Sequence, residues 1–412
     1  MNIFFCFPHK EVGGVSIVFL KLSKALSMMG YEIYLIDYKD GYMASRKDKN
    51  VNFLEYRDDK SVIIPSDSLI IFQSMTPWSI FPSLDIHPDV KIFFWNCHPF
   101  NLVPTLPGIR KKMQSSLSLG RLILKSVLRP YRSKIVTLIY HLTKTNALIF
   151  MDKTNLKTTE DYLDLKVSSP IFLPIPLKEQ SEIMYRGFDR SSRKIKIAWI
   201  GRIVDFKYFI LKRALIDINS EAKKMNDIKF EVSIIGEGLA KDKLIREVEK
   251  LSNISINFIN YINPEDIPKF LASEVDLFMA MGTSALEGAR IGIPTILLDI
   301  SYNNVNLGYK YEWLSDRDGF TLGDVINDNH FSKNNNSLAE KLYELIENAE
   351  QQSLKTKSYY DQNHSIELVS HKFIDLLFKS SCRWKAIQDL GLAKRGILYY
   401  LFTLIRRKYK SL

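Results

Sequence analysis

Short apolar runs alternate with longer helical patterns over the first part of this chain. The segments are an apolar run at 3–7, helical spacing at 15–29, and further apolar runs at 31–36, 69–72, 92–95 and 147–151. Alternation of this kind is typical of parallel βαβ units. The pattern predicts a first α/β domain over residues 1–185, in which residues 170–176 form an extended exit segment.

A second alternating series follows a polar, basic stretch at 186–194, which has no apolar periodicity and is predicted to be the interdomain linker. The series has apolar runs at 195–200, 230–235, 254–259, 276–280 and 295–298, with helical patterns at 208–224, 239–251, 265–272 and 284–291. A chain of 412 residues exceeds what one hydrophobic core usually organises. The sequence therefore predicts an α/β fold with two Rossmann-like parallel-sheet domains facing a central cleft, the second over 195–364.

The segment 276–299 is a predicted strand, a Gly-Thr-Ser turn, a short helix and another strand. Gly282 lets a ligand approach the backbone, and the N–H groups of Thr283, Ser284 and Ala285 at the helix start are predicted to hold phosphate oxygens. Glu287, one turn into the helix, is placed to accept hydrogen bonds from ribose hydroxyls. The alternative is an ordinary capped helix, with Ser284 as the cap and Glu287 closing a capping box.

Two cations and two glycines follow other predicted strands of the same domain. Arg202 comes directly after a strand and a glycine, and Lys207 follows five residues later. Ligands of open α/β sheets bind at such strand ends, where two cations would neutralise a leaving diphosphate. A solvated pair of surface charges is the alternative. Gly236 and Gly238 follow the next strand as an incomplete glycine-rich fingerprint.

Together these segments resemble the C-terminal donor domain of glycosyltransferase family 4, whose members have the two-domain GT-B architecture. The resemblance implies that Arg202 and Lys207 bind the diphosphate of a nucleotide-sugar donor. It also implies that Gly236 belongs to a donor-binding loop and that Tyr261 and Ile262 contact the base.

One signature of that family is matched only in part. The E-A-x-A-x-G-x-P-V signature corresponds to residues 287–295, which read EGARIGIPT. The family usually has two glutamates separated by seven residues, but Met279 stands eight residues before Glu287. In the family the missing carboxylate contacts the donor sugar. The shortened Met-Gly-Thr-Ser loop resembles a divergent branch associated with bacterial surface-polysaccharide assembly, such as lipopolysaccharide or capsule.

The first domain contributes a glycine pair and a histidine. Gly13 and Gly14 follow the first apolar run and match the family's Gly-Gly loop, so they are predicted to bind the donor; a tight strand-to-helix turn is the alternative. His98 follows the run at 92–95, near the point where relatives have a histidine that contacts the donor sugar. An exposed loop histidine is the alternative. We expect His98 and Glu287 to be the catalytic contacts.

The net charge of +11 indicates an anionic partner. Residues 110–145 have nine Lys or Arg and no acid, and residues 382–412 have eight against a single Asp. Because apolar residues accompany both stretches, they predict peripheral contact with an anionic membrane that carries a lipid-linked acceptor. The alternative is that 110–145 packs on the first domain with its charges solvated. Residues 365–381 have helical spacing and are expected to cross back to the first domain, before a basic amphipathic tail at 382–412.

Other features limit the cofactors and the location of the protein. The three cysteines lie far apart, which fits a reducing cytoplasm. Together with the two basic stretches, this predicts a cytoplasmic protein attached to the inner face of the cell membrane. The seven histidines lack metal-binding spacing, and the Asp-Arg-Asp triplet at 316–318 is expected to be a solvated loop. We therefore expect no metal and no cofactor beyond the nucleotide sugar. A nucleic-acid partner is not expected, because no recognition module is present.

The sequence thus predicts a retaining glycosyltransferase that moves a sugar from a nucleoside-diphosphate donor to a saccharide or lipid-linked acceptor. A nucleotide-sugar epimerase or a phosphorylase would share the architecture. A non-catalytic subunit that binds a membrane or a partner enzyme remains an alternative, since the first glutamate is missing.

Overall fold

A computed structural model describes residues 2–10, 13–73, 84–106, 109–177, 184–326, 330–331 and 337–394. The chain divides into two compact units, a first unit of Met1–Pro176 with Ile366–Leu412 and a second unit of Leu177–Ser365. The first unit ends before the predicted boundary at 185. Tyr185, close to that boundary, donates its N–H to the carbonyl of Ile291 in the second unit (2.9 Å).

The first unit is built on a parallel sheet. Its strands are β1 Asn2–Cys6, β2 Ile33–Asp37, β3 Asn52–Glu55, β4 Val62–Ile64, β5 Ser68–Gln73, β6 Leu84–Ile86, β7 Lys91–Asn96, β8 Leu148–Phe150 and β9 Ile171–Phe172. The strand order is β3-β2-β1-β5-β7-β8-β9, and β4 and β6 pair separately. The helices between them are α1 Gly14–Met28, α2 Tyr42–Arg46, α3 Arg110–Ser115, α4 Leu117–Lys125, α5 Arg129–Lys144 and α6 Lys153–Leu163.

The second unit repeats this plan. Its strands are β10 Lys194–Ile200, β11 Lys229–Ile235, β12 Ile254–Ile259, β13 Leu277–Ala280, β14 Thr295–Leu297 and β15 Glu312–Trp313. Its helices are α7 Asp205–Lys224, α8 Lys241–Val248, α9 Ile267–Glu274, α10 Thr283–Ile291 and α11 Ser337–Asn363. The strand order is β12-β11-β10-β13-β14-β15, with only β15 antiparallel in the described sheet. This is the Rossmann order, which reverses direction between β10 and β13.

Strands buried on both faces explain the apolar runs of the sequence. All six residues of β5, SLIIFQ, are buried. In β7, Phe93 and Trp95 pack in the core on one face of the sheet, and Ile92 and Phe94 pack in the core on the other. Side chains of a strand alternate between faces, so a central parallel strand needs apolar residues at every position.

After the second unit the chain returns to the first through helices α12 Ile366–Lys379 and α13 Trp384–Asp389. Phe373 of α12 packs against Phe5, Phe93 and Trp95 of the first sheet. Residues 395–412 of the predicted basic tail lie outside the described residues. Among the residues that are described, no helix is both long enough and apolar enough to cross a membrane.

Candidate functional site

The strand order of the second sheet defines where a ligand can bind. Strands β10 and β13 are parallel neighbours, with Ala198 opposite Phe278. Arg202 and Gly282 each follow four residues after this pair, so both lie at the carboxyl edge of the sheet. The order of the strands reverses between β10 and β13, and ligands of open α/β sheets bind at this switch point.

Arg202 and Lys207 lie together at the end of β10. Arg202 is exposed, whereas Lys207 in the first turn of α7 is partly buried, with Nζ 6.0 Å from the ring centre of Trp199. Burial and then the positive charge of Arg202 lower the pKa of Lys207. Within the described residues neither side chain forms an ion pair. The two cations are therefore held near each other without a carboxylate to balance them.

Gly282 and the start of α10 form a turn beside those cations. Gly282 has a φ of +64°, a conformation that favours glycine, and no described atom lies within 4 Å of the place where a Cβ would be. Its own N–H donates to the carbonyl of Leu322 (2.7 Å). The N–H groups of Thr283 and Ser284 have no hydrogen-bond partner within the described chain. The prediction of a third free donor is wrong, because the N–H of Ala285 donates to the carbonyl of Gly282 (3.1 Å). Two backbone donors are thus free for an anion.

The cap predicted at Ser284 and the capping box predicted at Glu287 are wrong. Gly282 is the N-cap, and no side chain caps the helix. The hydroxyl of Ser284 donates to the carbonyl of Met281 (2.8 Å), within the turn. Glu287 closes no capping box, and its Oε2 accepts a hydrogen bond from Nη2 of Arg290 (2.9 Å).

Gly236 and Gly238 are explained by packing within the second unit. A Cβ on Gly236 would lie 2.0 Å from the carbonyl oxygen of Gly201, and one on Gly238 would lie 2.2 Å from that of Ile203. The N–H of Gly236 donates to Ile259 (2.9 Å). These glycines allow the loop after β11 to support the loop that carries Arg202.

Tyr261 and Ile262 follow β12 at the side of the sheet. Tyr261 is 68% exposed, and Ile262 is partly buried. Since neighbouring strands are about 4.8 Å apart, β12 lies about 10 Å from β10. The two residues thus lie at the same edge as Arg202 but apart from the cations.

A buried ion-pair network after β14 was not predicted from the sequence. Asp299 is fully buried, and its Oδ2 accepts hydrogen bonds from Tyr309 (2.7 Å) and Arg317 (2.8 Å). Its Oδ1 accepts from the N–H of Asp324 (2.8 Å). The loop that this network holds includes Leu322, the hydrogen-bond partner of Gly282. The only sequence signal was an Asp at the end of an apolar run.

This network differs from the solvated triplet predicted at 316–318. Arg317, the middle residue, is 10% exposed and pairs with Asp299, although Asp316 and Asp318 are exposed. Asp299, Asp324 and His330 bring ligand atoms within 4.8 Å of one another, as in a metal site. The guanidinium of Arg317 already balances the Asp299 carboxylate, so an ion-pair network accounts for the cluster.

The carboxyl edge of the first sheet contains Gly13 and Gly14 at the start of α1. Ser16 accepts a hydrogen bond from the N–H of Gly13 (3.2 Å). No described atom lies within 4 Å of a Cβ placed on Gly14, and neither glycine has positive φ. Packing and backbone conformation therefore do not require glycine at 14, and the space beside it is open in the described structure.

His98 follows β7 at the same edge. The N–H of Phe100 donates to its Nδ1 (3.1 Å), which leaves the proton of the neutral ring on Nε2. His98 is exposed, as the alternative of an exposed loop histidine expects; desolvation by surrounding atoms and then the charge of Arg110 lower the pKa of its ring. Asn96 accepts from the N–H of His98 (3.4 Å) and is itself buried. His98 is therefore a neutral hydrogen-bond donor at physiological pH.

No protein-family model matches the sequence, and no curated protein matches it. Solved structures match over most of the chain at low identity. A glycosyltransferase from Rickettsia africae ESF-5 matches with a TM-score of 0.52 at 11% identity, over 91% of this chain and 97% of its own. The lipopolysaccharide outer core galactosyltransferase WaaB matches with a TM-score of 0.50 at 9% identity, over 92% and 99%.

The E. coli trehalose-6-phosphate protein bound with UDP-2-fluoro glucose matches with a TM-score of 0.52 at 11% identity, over 93% of this chain and all (100%) of its own. The structural relatives are GT-B glycosyltransferases with two Rossmann-like domains. The predicted α/β class and the two parallel-sheet domains are confirmed, and the chain has the GT-B fold.

Proposed function

We propose that this chain is a glycosyltransferase that transfers a sugar from a nucleoside-diphosphate donor to a saccharide or lipid-linked acceptor, with retention of configuration. The observation that carries the proposal is the edge of the second sheet, where Arg202 and Lys207 lack a carboxylate partner in the described chain. Free N–H groups of Thr283 and Ser284 lie at the neighbouring strand end. The structural relative from E. coli that is bound with UDP-2-fluoro glucose supports this choice of ligand.

The reaction breaks the bond between the anomeric carbon and the diphosphate oxygen. Negative charge develops on that oxygen, and Arg202, Lys207 and the two N–H groups stabilise it. The acceptor hydroxyl oxygen forms the new bond to the anomeric carbon, and its proton passes to the leaving phosphate. The chain supplies no general base in this proposal, and Glu287 holds the donor through the ribose.

We assign to His98 a hydrogen bond to the donor sugar. Its Nε2 carries the donor proton because Nδ1 is occupied by the N–H of Phe100. Desolvation and the charge of Arg110 lower the pKa of His98, which favours the neutral ring, and the proposed role of this ring is to orient the sugar as a hydrogen-bond donor. Retention and membership of a divergent branch of glycosyltransferase family 4 are part of the same proposal, and they rest on the sequence resemblance.

The proposed reaction needs no metal. Two cations and a helix N-terminus can balance a diphosphate in place of a divalent ion. Turnover is expected to be unchanged when a chelator is added, and recovery of lost activity by Mg²⁺ or Mn²⁺ would contradict this part of the proposal.

The biological role that we propose is bacterial surface-polysaccharide assembly at the inner face of the cell membrane. The structural relative WaaB is a lipopolysaccharide outer core galactosyltransferase, and this similarity supports a role in surface-polysaccharide assembly. Large apolar side chains of the segment 110–145 are exposed, namely Leu117, Leu119, Leu122, Val127 and Tyr140. A basic surface with exposed apolar residues suits an anionic bilayer.

Part of the positive charge in 110–145 has a structural role instead. Arg121 and Arg132 donate to carbonyl groups at the end of α6, and Lys125 pairs with Asp164 (2.6 Å). The membrane proposal therefore rests on the remaining cations of this segment and on the tail at 395–412. It predicts co-sedimentation with phosphatidylglycerol vesicles at low salt; protein that stays in the supernatant would contradict it.

A non-catalytic subunit is the second candidate, because one observation favours it. Met279 stands where the family has its first glutamate, and its side chain is buried in β13 (2% exposed). Such a subunit would bind a nucleotide or a partner without turnover. Release of nucleoside diphosphate from a panel of nucleotide sugars, with an acceptor extract present, separates the two candidates.

The proposed donor site is tested by thermal stabilisation with uridine, guanosine and other nucleoside diphosphates. A ligand at 100 times its Kd adds about 2.7 kcal/mol to stability. Stabilisation should be lost in Arg202→Ala and kept in Lys194→Ala, which removes a lysine at the other end of the same strand. If no nucleoside diphosphate stabilises the wild-type protein, the proposed function is wrong.

A further inference from the structure

Arg290 is a buried cation on the helix that carries Glu287. The two residues are three positions apart on α10, so their side chains share one face. Nη2 of Arg290 lies 2.9 Å from Oε2 of Glu287, and the two side chains are 8% and 30% exposed. The Glu287 carboxylate is thus anchored at one oxygen, while its other oxygen has no partner in the described structure.

Stability alone does not explain a buried arginine at this position. Replacing a buried ion pair with apolar residues is often neutral or stabilising. The Nε–H of Arg290 has no hydrogen-bond partner among the described residues, and an unsatisfied buried donor is unfavourable. The signature that residues 287–295 match in part has a small Ala where this chain has Arg290. The arginine therefore calls for an explanation beyond packing.

The surroundings of Arg290 hold its guanidinium in place. Helix α10 packs on α11, whose Tyr360 is fully buried. Burial raises the pKa of Tyr360, the charge of Arg290 lowers it, and that of Glu287 raises it, so the phenol lies within the field of both. An arginine enclosed in this way has few alternative rotamers. Its hydrogen bond to Glu287 therefore also limits the rotamers of that carboxylate.

We propose that Arg290 is a positioning residue, which holds the Glu287 carboxylate in the single orientation that accepts hydrogen bonds from the ribose hydroxyls of the nucleotide. This inference rests on the proposed function. A glutamate side chain without a partner would lose rotamer freedom when the nucleotide binds. Because Arg290 already restricts Glu287 in the unliganded protein, binding costs less conformational entropy. Recognition of ribose, and not of the diphosphate, should therefore depend on Arg290.

The test compares uridine and guanosine diphosphates with their 2′,3′-dideoxy counterparts by calorimetry. We expect the wild-type protein to bind the ribonucleotide at least about tenfold more tightly, a difference of about 1.4 kcal/mol. In Arg290→Met the ratio should fall below about twofold to threefold, while affinity for the dideoxy form stays the same. Arg290→Lys, which keeps the charge without the planar fork, should be intermediate.

Matched variants separate positioning from folding. Arg213→Met removes another buried arginine that pairs with a carboxylate on its own helix, Asp217, and should keep the wild-type ratio. Glu287→Ala leaves Arg290 buried without its partner and is expected to be less stable. The double variant Glu287→Ala with Arg290→Met removes that unpaired charge, and it should show the same low ratio as Arg290→Met alone.

Three outcomes would overturn the inference. A full ribose preference in Arg290→Met contradicts positioning by Arg290 and leaves the proposed function intact. A wild-type protein that binds both forms equally shows that Glu287 does not contact ribose, while the diphosphate site remains. A wild-type protein that binds no nucleotide overturns the proposed function and this inference together.

Discussion

The two sheets of this protein have the same strand order at their centres, yet their carboxyl edges carry different chemistry. The edge of the second sheet has two cations, Arg202 and Lys207, beside free backbone N–H groups. The edge of the first sheet has open space at Gly14 and a neutral His98. The shared fold supplies two equivalent ligand positions, and only the loops determine which one suits a diphosphate.

The two edges are also supported differently. In the second unit the buried pair of Asp299 and Arg317 holds the loop that contacts Gly282. In the first unit the residue before the Cys97-His98 loop is Asn96, whose side-chain amide donates to Thr159 (3.3 Å) and whose carbonyl accepts from Asn155 (3.0 Å). The ion pair of Asp299 and Arg317 tolerates the loss of one partner less well than the neutral hydrogen bonds of Asn96 do, because an unpaired buried charge costs more than an unpaired amide.

The largest expected effect on stability follows from removing one partner of the buried ion pair between Asp299 and Arg317. Arg317→Met leaves Asp299 buried without its cation and should lower the free energy of unfolding by about 3–5 kcal/mol. Asn155→Ala in the first unit should cost about 1–3 kcal/mol. Urea unfolding of both variants measures the difference. Equal losses would mean that an unpaired Asp299 costs no more than an unpaired carbonyl of Asn96.

The next largest effect is a loss of turnover when the positive charge of Arg202, at the carboxyl edge of the second sheet, is removed. Arg202→Gln should lower kcat by about 10²–10³-fold, because it removes a donor to the charge that develops on the leaving diphosphate. His98→Gln should lower kcat/KM for the sugar donor by about tenfold, since it removes one hydrogen bond. Affinity for free nucleoside diphosphate, measured by calorimetry, should fall only in the Arg202 variant. A loss of this affinity in the His98 variant would contradict the claim that only the edge of the second sheet binds the diphosphate.

Two glycine substitutions should change stability by smaller amounts, one lowering it and the other leaving it unchanged or raising it. Gly236→Ala should destabilise the second unit by about 1–3 kcal/mol, because its Cβ would lie 2.0 Å from the Gly201 carbonyl oxygen. Gly14→Ala should leave stability unchanged or raise it by up to about 1 kcal/mol, since alanine favours helices. If Gly14 lines the donor site, turnover falls in that stable variant. Thermal unfolding and transfer assays together check both expectations.

The smallest effect is a dependence of binding on pH. Burial lowers the pKa of Lys207 below that of an exposed lysine, and a bound diphosphate favours the charged form. Affinity for nucleoside diphosphate should therefore fall a few-fold as the pH rises through the lowered pKa. Calorimetry from pH 7 to 10 measures it, and Lys207→Arg, which stays charged, should remove the dependence. An unchanged dependence in that variant would assign it to another group.

The same lysine affects stability with the opposite sign. Its pKa is lower in the folded protein than in the unfolded chain, so the unfolded chain binds the proton more tightly. The free energy of unfolding of the unliganded protein should rise with pH between the folded pKa and the unfolded value of about 10.4. The first unit has no such lysine among its predicted site residues.

Much of the second unit was predictable from local patterns. The helix predicted from 208 begins at Asp205, and the helix predicted over 284–291 is Thr283–Ile291. Apolar periodicity locates such elements because each one must bury a face. The ends were less accurate, since capping by Gly282 depends on a positive φ and not on a side chain.

The candidate site was only partly predictable. Arg202, Lys207 and Glu287 stand out in the sequence because they follow strands and glycines at fixed spacings. The partner of Glu287 and the network of Asp299 and Arg317 did not stand out. An ion pair between residues 18 positions apart leaves no periodic signal in a single sequence.

The sequence by itself determined that this protein has two βα series and which strand ends carry cations, glycines and a histidine. Local periodicity and turn chemistry carry that information, because they act between residues close in the chain. Only the tertiary structure decided which glycines are required for packing, which N–H groups are free, and which carboxylates are already paired. Those properties arise from contacts between distant segments, such as Gly236 against Gly201 and Gly282 against Leu322, which form only when the sheet brings the strand ends together.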